Sequence, residues 1–408
     1  MTMQSSVTRR NFLRMGSAVP ISAAMLPAMA RSAFAAAPPA ATASASASPF
    51  DIGAIDVPAG AILINGNEFP TGPTPAAVDI MHKMAVNGNR YYMSETRKFA
   101  ADVAAYHGLK PENVSLYAGS SEPLLFTSMA FTSPARPLVM ADPSYESAAR
   151  TAKNVGAKVY RIPLKTDFSY DVKAMAAADP NTGLIYVCNP NNPTGTTVKR
   201  SDIEYLLENK PAGAILLVDE AYIHFSDAES VADLVGKDKD IVVLRTFSKI
   251  YSMGGLRFGY AMARPDLMAK LHLYGTNFMA TTAIQCAKVQ LFDKQLVPQR
   301  KQMIADNRNR TFDFLAKNNY KFTTSQANHF MLDMKEHTGV AVGAAMAQKN
   351  VIIGRTWPIW PNHARITVGS AAEMQTFQTA FLEVMQMPAD KVSAIEHPYP
   401  HLRDAHVC

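Results

Sequence analysis

The stretch that decides the fold runs from residue 184 to residue 195 and reads LIYVCNPNNPTG. Its first half, Leu184–Cys188, is a continuous apolar run without the alternation of a strand that has one face in water. Runs of this kind are typical of buried parallel strands. The second half is rich in Asn, Pro and Gly, which are turn residues. We therefore predict a buried parallel strand that ends in a polar loop.

The same pattern recurs on both sides of this stretch. Short apolar runs occupy residues 138–141, 214–218 and 241–244. Helical patterns lie between them, at residues 145–155 and after a predicted capping box, SDIE, at residues 201–204. Strand–helix alternation predicts an α/β fold with an open sheet covered on both faces. Residues 300–385 mix helices with short strands and predict a second, α+β domain.

Polar residues or glycine follow each predicted strand. In open α/β sheets, ligands bind beyond the carboxyl ends of the strands. Five such endings in series therefore predict one ligand-binding rim. The segments are DPSY at 142–145, NPNNPTG at 189–195, DEAY at 219–222, RTFSK at 245–249, and AGSSE at 118–122, which follows the short apolar run Leu116-Tyr117.

Composition excludes several classes of protein. The 408 residues are 48% apolar and 18% charged, which argues against a disordered chain. The net charge of +6 is spread along the chain without a dense Lys/Arg run, so we expect no nucleic-acid partner. Three widely spaced cysteines exclude a disulfide scaffold and a cysteine zinc finger. The tail histidines His397, His401 and His406 have no acidic cluster beside them, so we expect no metal site.

The first residues have the pattern of an export signal. TRRNFLR at residues 8–14 is a twin-arginine motif, a weakly apolar stretch follows at 15–30, and AFA at 33–35 is a cleavage site. We expect the twin-arginine export machinery to be a partner, with cleavage after Ala35 and a periplasmic location. Retention of the signal as a membrane anchor is the alternative. Residues 36–59 are rich in Ala, Ser and Pro and are predicted to be a linker.

Three motifs together resemble the fold-type I pyridoxal-phosphate aminotransferases of class I/II. They are NPNNPTG at 189–195, DEAY at 219–222, and TFSK at 246–249 with Arg257 eight residues later. NGNEFPTGP at 65–73, NRY at 89–91 and RITVG at 365–369 resemble the histidinol-phosphate aminotransferase branch. The resemblance covers residues 60–385. It implies a mostly parallel central sheet with helices on both faces, and a smaller α+β domain.

This resemblance gives a division of the chain into segments. We expect an arm at residues 60–85 that joins the small domain, and a large cofactor-binding domain at 86–290. The small domain would occupy residues 291–388, and 389–408 would form a tail.

The resemblance also implies roles for individual residues. Lys249 would form a Schiff base with pyridoxal 5'-phosphate, since a neutral lysine amine is a nucleophile. Asp219 would face the pyridine nitrogen and keep it protonated. Asn192 and Tyr222 would bind the ring's 3-oxygen, and Tyr145 would stack on the ring.

The cofactor phosphate would be held at a helix N-terminus, where backbone N–H groups are unpaired. The residues implied for this contact are Gly119, Ser120, Ser121, Ser248 and Arg257. Tyr91 would reach the phosphate of a partner subunit, which implies a homodimer with shared active sites.

Two arginines would bind the substrate. Arg365 would bind the α-carboxylate bidentately, and Arg355 falls where the family has a second substrate-facing arginine. We expect transamination between an amino acid, or a histidinol-phosphate-like amine, and a 2-oxo acid. The alternatives are another Cα chemistry on the same fold (decarboxylation, β-elimination or racemisation), a non-catalytic pyridoxal-binding regulator, and an unrelated Rossmann enzyme. The regulator would need a DNA-binding module, whereas the N-terminal residues have the pattern of an export signal. The Rossmann enzyme would need a G-x-G-x-x-G motif after its first strand, and AGSSE at 118–122 does not match it.

Overall fold

The computed structural model describes residues 60–275 and 278–399. The predicted export signal and the predicted linker at 36–59 lie outside the described residues, as do His401 and His406. Within the two described ranges, no helix combines the length and the apolar character needed to cross a membrane.

The described strands are β1 (Ile62–Ile64), β2 (Val114–Tyr117), β3 (Leu138–Asp142), β4 (Val159–Pro163), β5 (Leu184–Cys188), β6 (Ile215–Asp219), β7 (Ile241–Thr246), β8 (Gly259–Ala263), β9 (His329–Asp333), β10 (Val351–Ile353) and β11 (His363–Thr367). The described helices are α1 (Pro75–Ala85), α2 (Met93–Tyr106), α3 (Ser121–Phe131), α4 (Ser147–Asn154), α5 (Val172–Ala177), α6 (Arg200–Asn209), α7 (Pro265–His272), α8 (Thr281–Leu291), α9 (Leu296–Lys317), α10 (Gly339–Gln348), α11 (Ala371–Met385) and α12 (Ala389–Ser393).

Seven strands form the central sheet in the order β2-β8-β7-β6-β5-β3-β4. Strand β8 is antiparallel to both of its neighbours, and the other pairings are parallel. The register sets Cys188 at the end of β5 beside Asp219 at the end of β6. The predicted polar endings therefore meet at one edge of the sheet. The mostly parallel α/β fold is confirmed, whereas the reversed direction of β8 was not predicted.

Both faces of this sheet are buried, which explains the missing alternation in the strands. Ile185 and Val187 of β5 belong to one apolar cluster, and Leu184 and Tyr186 belong to the cluster on the other face. Helices α2, α5 and α6 contribute to the first cluster, and α3, α4 and α7 contribute to the second. The residues of β5 are therefore apolar on both faces of the sheet.

Two small sheets accompany the central one. Strand β1 pairs in parallel with β10, so that Ile62 lies opposite Val351. Strands β9 and β11 are antiparallel neighbours, with Arg365 opposite Met331. The arm that carries β1 is thus attached to the C-terminal part of the chain. The exact division at residues 85, 290 and 388 stays a prediction.

One local prediction is wrong. Helix α6 begins at Arg200 rather than after Ser201, and Lys199 is its N-cap residue without a side-chain capping bond. The Arg200 Nε instead donates to the Glu204 carboxylate at 2.9 Å. Ser201 already lies in the first helical turn, where its hydroxyl cannot act as the N-cap acceptor.

Candidate active site

A pocket of about 400 Å³ lies at the edge of the sheet where the parallel strands end. Each of the five segments predicted to form a rim contributes at least one residue to the lining of this pocket. The lining residues are Ser120, Ser121, Leu124, Tyr145, Cys188, Asn192, Asp219, Ala221, Tyr222, Thr246, Ser248 and Lys249. Of the predicted site residues, Gly119, Arg257, Tyr91, Arg365 and Arg355 are not among them.

Lys249 lies in the turn that follows β7 and is 4% exposed. Its Nζ is 3.4 Å from the carbonyl oxygen of Gly66 and 5.5 Å from the centre of the Tyr222 ring. A buried primary amine on the wall of a pocket is placed to react with a carbonyl group there.

Asp219 ends β6 and is equally buried. Its Oδ2 accepts a hydrogen bond from the Tyr186 hydroxyl at 3.2 Å, and its Oδ1 accepts one from the backbone N–H of Ala221 at 3.2 Å. Burial raises the pKa of this carboxyl to about 6. Because a buried carboxylate needs a cationic partner, its position in the pocket suits a protonated ring nitrogen.

Asn192 and Tyr222 are each hydrogen-bonded to the surroundings of the pocket. The Asn192 side-chain oxygen accepts from Nη1 of Arg365 at 2.9 Å. The Tyr222 hydroxyl accepts from Nδ2 of Asn67 at 3.0 Å, and burial raises the pKa of that hydroxyl well above its ordinary range. These hydrogen bonds fix the orientation of both side chains. The raised pKa keeps the Tyr222 hydroxyl protonated, so that it can donate a hydrogen bond.

The predicted phosphate contacts converge at one end of the pocket. Ser120 is the N-cap of α3, so the first backbone N–H groups of that helix point outward beside it. Gly119 has a φ of +91°, and a Cβ there would collide with the Arg257 guanidinium. Arg257 Nη1 lies 3.4 Å from the Ser248 hydroxyl and donates to the Gly254 carbonyl at 2.8 Å. Helix N–H groups, serine hydroxyls and a guanidinium make a donor set that fits a phosphate.

These observations test the fit of the implied cofactor. An amine, a buried carboxylate with a raised pKa, and an anion cradle line one pocket, and each matches a functional group of pyridoxal 5'-phosphate. Tyr145 is half-buried on the wall, where an aromatic ring can stack on another. The residues present therefore fit the cofactor.

Tyr91 is not brought to the pocket of its own chain. Its side chain is 78% exposed, and its ring lies 5.5 Å from that of Phe278. The predicted role toward a partner subunit is consistent with an exposed position but stays a prediction.

The two predicted substrate arginines have different surroundings. Arg365 is 3% exposed and borders the pocket through Asn192, and its Nη2 also donates to the carbonyl of Asn65 at 2.5 Å. Arg355 instead donates from Nη2 to the Glu146 carboxylate at 2.6 Å. It lines a second cleft, together with Thr338, Trp357 and Pro361.

Sequence reasoning missed a buried ion pair behind the pocket. The Arg245 Nε donates to the Glu220 Oε2 at 2.7 Å, and both side chains are at most 6% exposed. The Ser230 hydroxyl donates to the same Glu220 oxygen at 2.9 Å. Glu220 directly follows Asp219, and Arg245 lies in the strand that leads to Lys249. The sequence could have indicated this ion pair, because charged residues next to buried apolar runs need partners of opposite charge.

Asn67 was also missed as a site residue, although its segment was part of the resemblance. It is fully buried and reaches Tyr222 from the arm. Cys188, Thr246 and Leu124 complete the wall. Within the described ranges, no group of three His, Cys, Asp or Glu side chains is placed to hold a metal ion.

Comparison with known proteins gives one consistent family. The model of aminotransferase class I and II matches residues 60–381. A histidinol-phosphate aminotransferase of Moorella thermoacetica is 31% identical over 338 residues, which cover 79% of this chain and 85% of that protein. An aromatic amino acid aminotransferase of Rhodococcus jostii is 33% identical over 323 residues, which cover 78% and 88%.

Solved structures show the same fold. The histidinol-phosphate aminotransferase of Sinorhizobium meliloti in complex with pyridoxal-5'-phosphate aligns with a TM-score of 0.74 at 23% identity, over 80% of this chain and 91% of that one. The chain belongs to the aminotransferase class I and II family and is a pyridoxal-phosphate-dependent transaminase.

Proposed function

We propose that this transaminase uses Lys249 to hold the cofactor covalently. It would move an amino group from an amino acid, or from a histidinol-phosphate-like amine, to a 2-oxo acid. The observation that carries the proposal is the common pocket of Lys249, Asp219 and Tyr222. The relatives support both substrate types, since they are named as histidinol-phosphate and as aromatic amino acid aminotransferases.

The chain's own residues divide the chemical work. Pyridoxal phosphate, when bound, supplies an aldehyde carbon and a ring that accepts the electrons left at Cα. The Nζ of Lys249 would bind the aldehyde and, once displaced by substrate, would be the base that takes the Cα proton and returns it to the former aldehyde carbon. The Asp219 carboxylate holds a proton on the ring nitrogen, and the Tyr222 hydroxyl donates to the ring oxygen.

Arg365 would decide which bond of the substrate breaks. A guanidinium that binds the α-carboxylate in two places would hold that group in one orientation. The Cα–H bond would then be the one presented to the Lys249 amine, and the carboxylate would be kept. Its two hydrogen bonds to Asn192 and to the Asn65 carbonyl fix the guanidinium plane beside the pocket.

Borohydride reduction of the holoenzyme, followed by peptide mapping, tests the role of Lys249. We expect the label on Lys249, and we expect Lys249→Ala to lose turnover while it keeps its fold. Lys301→Ala is the matched control, because Lys301 lies outside the pocket and pairs with Asp227. A label on any other lysine would contradict the proposal.

We also propose that the enzyme is a homodimer whose active sites are shared. Large apolar side chains are exposed on two segments that meet at the Tyr91–Phe278 contact: Val86 is 83% exposed, Leu273 81%, Tyr91 78% and Phe278 56%. A patch of this kind is typical of a protein interface. A second copy of the chain would cover it and bring its own Tyr91 toward the neighbouring phosphate cradle.

Mixing two inactive variants tests the shared site. If Tyr91 serves the partner's site, then mixed dimers of Lys249→Ala and Tyr91→Ala contain one intact site. Random reassociation would restore about a quarter of the wild-type activity. No recovery in a mixture that sedimentation shows to be dimeric would contradict sharing.

The third proposal concerns location. The twin-arginine motif at residues 8–14 supports export to the periplasm by the twin-arginine machinery. That route carries folded proteins, which suits an enzyme that binds its cofactor before export.

A further inference from the structure

Tyr186 contacts Asp219 from the neighbouring strand. Tyr186 lies in β5 and Asp219 ends β6, and the register sets Asp219 beside Cys188, which follows Tyr186 at the next position but one. Because successive side chains of a strand alternate between the two faces, the three side chains lie on the same face of the sheet. The Tyr186 hydroxyl donates a hydrogen bond to Oδ2 of Asp219 at 3.2 Å.

Tyr186 itself does not line the pocket. It is 0% exposed and belongs to the apolar cluster on one face of the sheet, and it is not among the lining residues. A buried tyrosine hydroxyl needs a hydrogen-bond partner, and here that partner is a carboxylate of the pocket wall. An effect of this hydroxyl on the reaction would therefore pass through Asp219.

Each oxygen of the Asp219 carboxylate accepts a hydrogen bond. Oδ1 accepts from the backbone N–H of Ala221 at 3.2 Å, and Oδ2 accepts from Tyr186. Hydrogen bonds that are donated to a carboxylate favour its ionised form over its neutral form. Burial raises the pKa of Asp219 to about 6, and the hydrogen bond from Tyr186 opposes this rise. The tyrosine thus favours the charged carboxylate in a place where burial favours the neutral one.

Other titratable groups also surround Asp219. The Lys249 amine, in the turn after β7, favours the charged carboxylate, and Glu220, the next residue of the chain, opposes it. The neighbours that burial keeps uncharged, by raising the pKa of each group, are Cys188, Tyr170 and Tyr222.

We propose that Tyr186 is a positioning residue of the reaction, which holds the Asp219 carboxylate ionised and in one orientation for the ring nitrogen of the cofactor. A proton shared by a carboxylate and a ring nitrogen resides on the more basic of the two. The hydrogen bond from Tyr186 lowers the basicity of the carboxylate, which favours the proton on the nitrogen, where it allows the ring to accept electrons. This inference rests on the proposed function, in which Asp219 faces that nitrogen.

The first measurement uses the apoprotein and does not depend on the cofactor. Tyr186→Phe removes one oxygen atom and keeps the ring. Without the hydrogen bond, the carboxyl should stay protonated to a higher pH. The free energy of unfolding should therefore keep falling to a pH about one unit higher than in the wild type. Urea titrations between about pH 4 and pH 9 determine where this fall ends.

Two further proteins separate this effect from a packing defect. In an Asp219→Asn background, Tyr186→Phe should leave the pH dependence unaltered, because the group that titrates is gone. Incorporation of 3-fluorotyrosine at position 186 nearly keeps the shape of the side chain and makes its hydroxyl a stronger donor. The fall should then end at a lower pH than in the wild type.

The second measurement uses the absorbance of the bound cofactor. A ring nitrogen without its proton withdraws fewer electrons from the linkage between the cofactor and Lys249, so this linkage stays protonated to a higher pH. The pH at which the absorbance changes should therefore rise by about half a unit or more in Tyr186→Phe. Asp219→Asn should raise the same pH, because an amide cannot hold the ring nitrogen protonated.

The matched control is Tyr170→Phe. Tyr170 is 4% exposed, and its hydroxyl is hydrogen-bonded to the uncharged side chains of Ser144 and Asn191, at 3.3 and 2.8 Å. In the apoprotein it should lower the free energy of unfolding at every pH and leave the end of the fall unchanged. The inference is overturned if Tyr186→Phe leaves the end of the fall unchanged, or if it shifts it equally in the Asp219→Asn background. It is also overturned if Tyr170→Phe produces the same shift.

The absorbance separates this inference from the proposed function. If Asp219→Asn leaves the pH of the absorbance change unaltered, the proposed role of Asp219 is wrong, and this inference with it. If Asp219→Asn raises that pH and Tyr186→Phe does not, this inference alone is overturned.

Discussion

Asn67 and Tyr222 lie 155 residues apart and are joined by a hydrogen bond of 3.0 Å from Nδ2 of Asn67 to the tyrosine hydroxyl. The same asparagine is tied to the C-terminal part of the chain, because its backbone N–H donates to the Thr367 hydroxyl at 2.9 Å. The Asn328 side chain donates to its carbonyl at 3.0 Å. One buried residue of the arm therefore links the cofactor pocket to strand β11 and to the residue that precedes β9.

We expect Asn67→Gly to impair the reaction more than the fold. Asn67 has a φ of +53°, which glycine adopts without strain, so the change removes the side chain alone. Loss of one hydrogen bond to Tyr222 is worth about 1 kcal/mol, and kcat/KM should fall about fivefold. Asn67→Ala is the informative comparison, since it should also lower the melting temperature. A glycine variant with wild-type kcat/KM would show that the contact does not orient Tyr222.

The hydrogen bond between Asn67 and Tyr222 is of a kind that the sequence could not predict, unlike the strands and the pocket walls. The strands Leu184–Cys188 and Ile241–Thr246 were readable because burial on both faces leaves an apolar run in the sequence. The pocket walls followed from the polar residues after those runs. The contacts of Asn67 with Tyr222 and of Glu146 with Arg355 were not readable, since each joins distant positions and depends on the tertiary fold. The capping box predicted at residue 201 is absent for a similar reason. The Glu204 carboxylate accepts a hydrogen bond from the Arg200 Nε, and the helix begins one residue earlier than predicted.

Asp219 should make the stability of the apoprotein depend on pH. Its pKa in the folded state is raised to about 6 by burial, above the ordinary value of 3.8. Between these values the folded protein binds a proton that the unfolded chain has released, so the free energy of unfolding falls as the pH rises from about 4 to about 6. The loss from this group is about 3 kcal/mol.

Urea unfolding of the apoprotein at pH 4 and pH 7 measures this effect. Asp219→Asn has no titrating group at this position and should lack that part of the loss, so it should be the more stable protein at pH 7. Equal pH dependence in the two proteins would show that the buried carboxyl is not perturbed. In the holoenzyme, the same variant should bind cofactor but lose activity by about a hundredfold or more, because an amide cannot hold the ring nitrogen protonated.

The Glu220–Arg245 pair should be important for stability. Glu220→Gln keeps the shape of the side chain but leaves the Arg245 charge buried without its counter-charge, and Glu220 is 0% exposed. We expect the free energy of unfolding to fall by about 3 kcal/mol or more. Asp227→Asn is the control, since Asp227 is 87% exposed in its pair with Lys301 and should cost less than about 1 kcal/mol. Equal losses in urea titrations of the two variants would refute the distinction.

Export should depend on Arg9 and Arg10. Replacement of both by lysine keeps the charge but removes the twin-arginine motif, so the enzyme should accumulate in the cytoplasm in its uncut form. Fractionation with N-terminal sequencing measures both the location and the cleavage after Ala35. The export proposal would be wrong if the wild-type enzyme is itself cytoplasmic and begins at Met1.

Arg365→Lys should separate substrate binding from cofactor binding. Lysine keeps the positive charge but offers a point contact in place of the planar fork that binds a carboxylate in two places. It also cannot reproduce both the 2.9 Å bond to Asn192 and the bond to the Asn65 carbonyl, so the remaining contact loses its fixed direction. The phosphate cradle at Ser120, Ser248 and Arg257 is separate from these contacts, and the absorbance of the bound cofactor should therefore be unchanged.

For amino acids, kcat/KM should fall at least tenfold, which corresponds to about 1.4 kcal/mol of lost transition-state binding. Amines that lack a carboxylate never use the fork, so their slow conversion should be nearly the same in the variant and the wild type. The decisive quantity is the ratio between an amino acid and its decarboxylated analogue. If Arg365→Lys lowers kcat/KM for both by the same factor, Arg365 does not bind the α-carboxylate. The orientation of the substrate that spares this carboxylate would then have to come from another residue of the pocket.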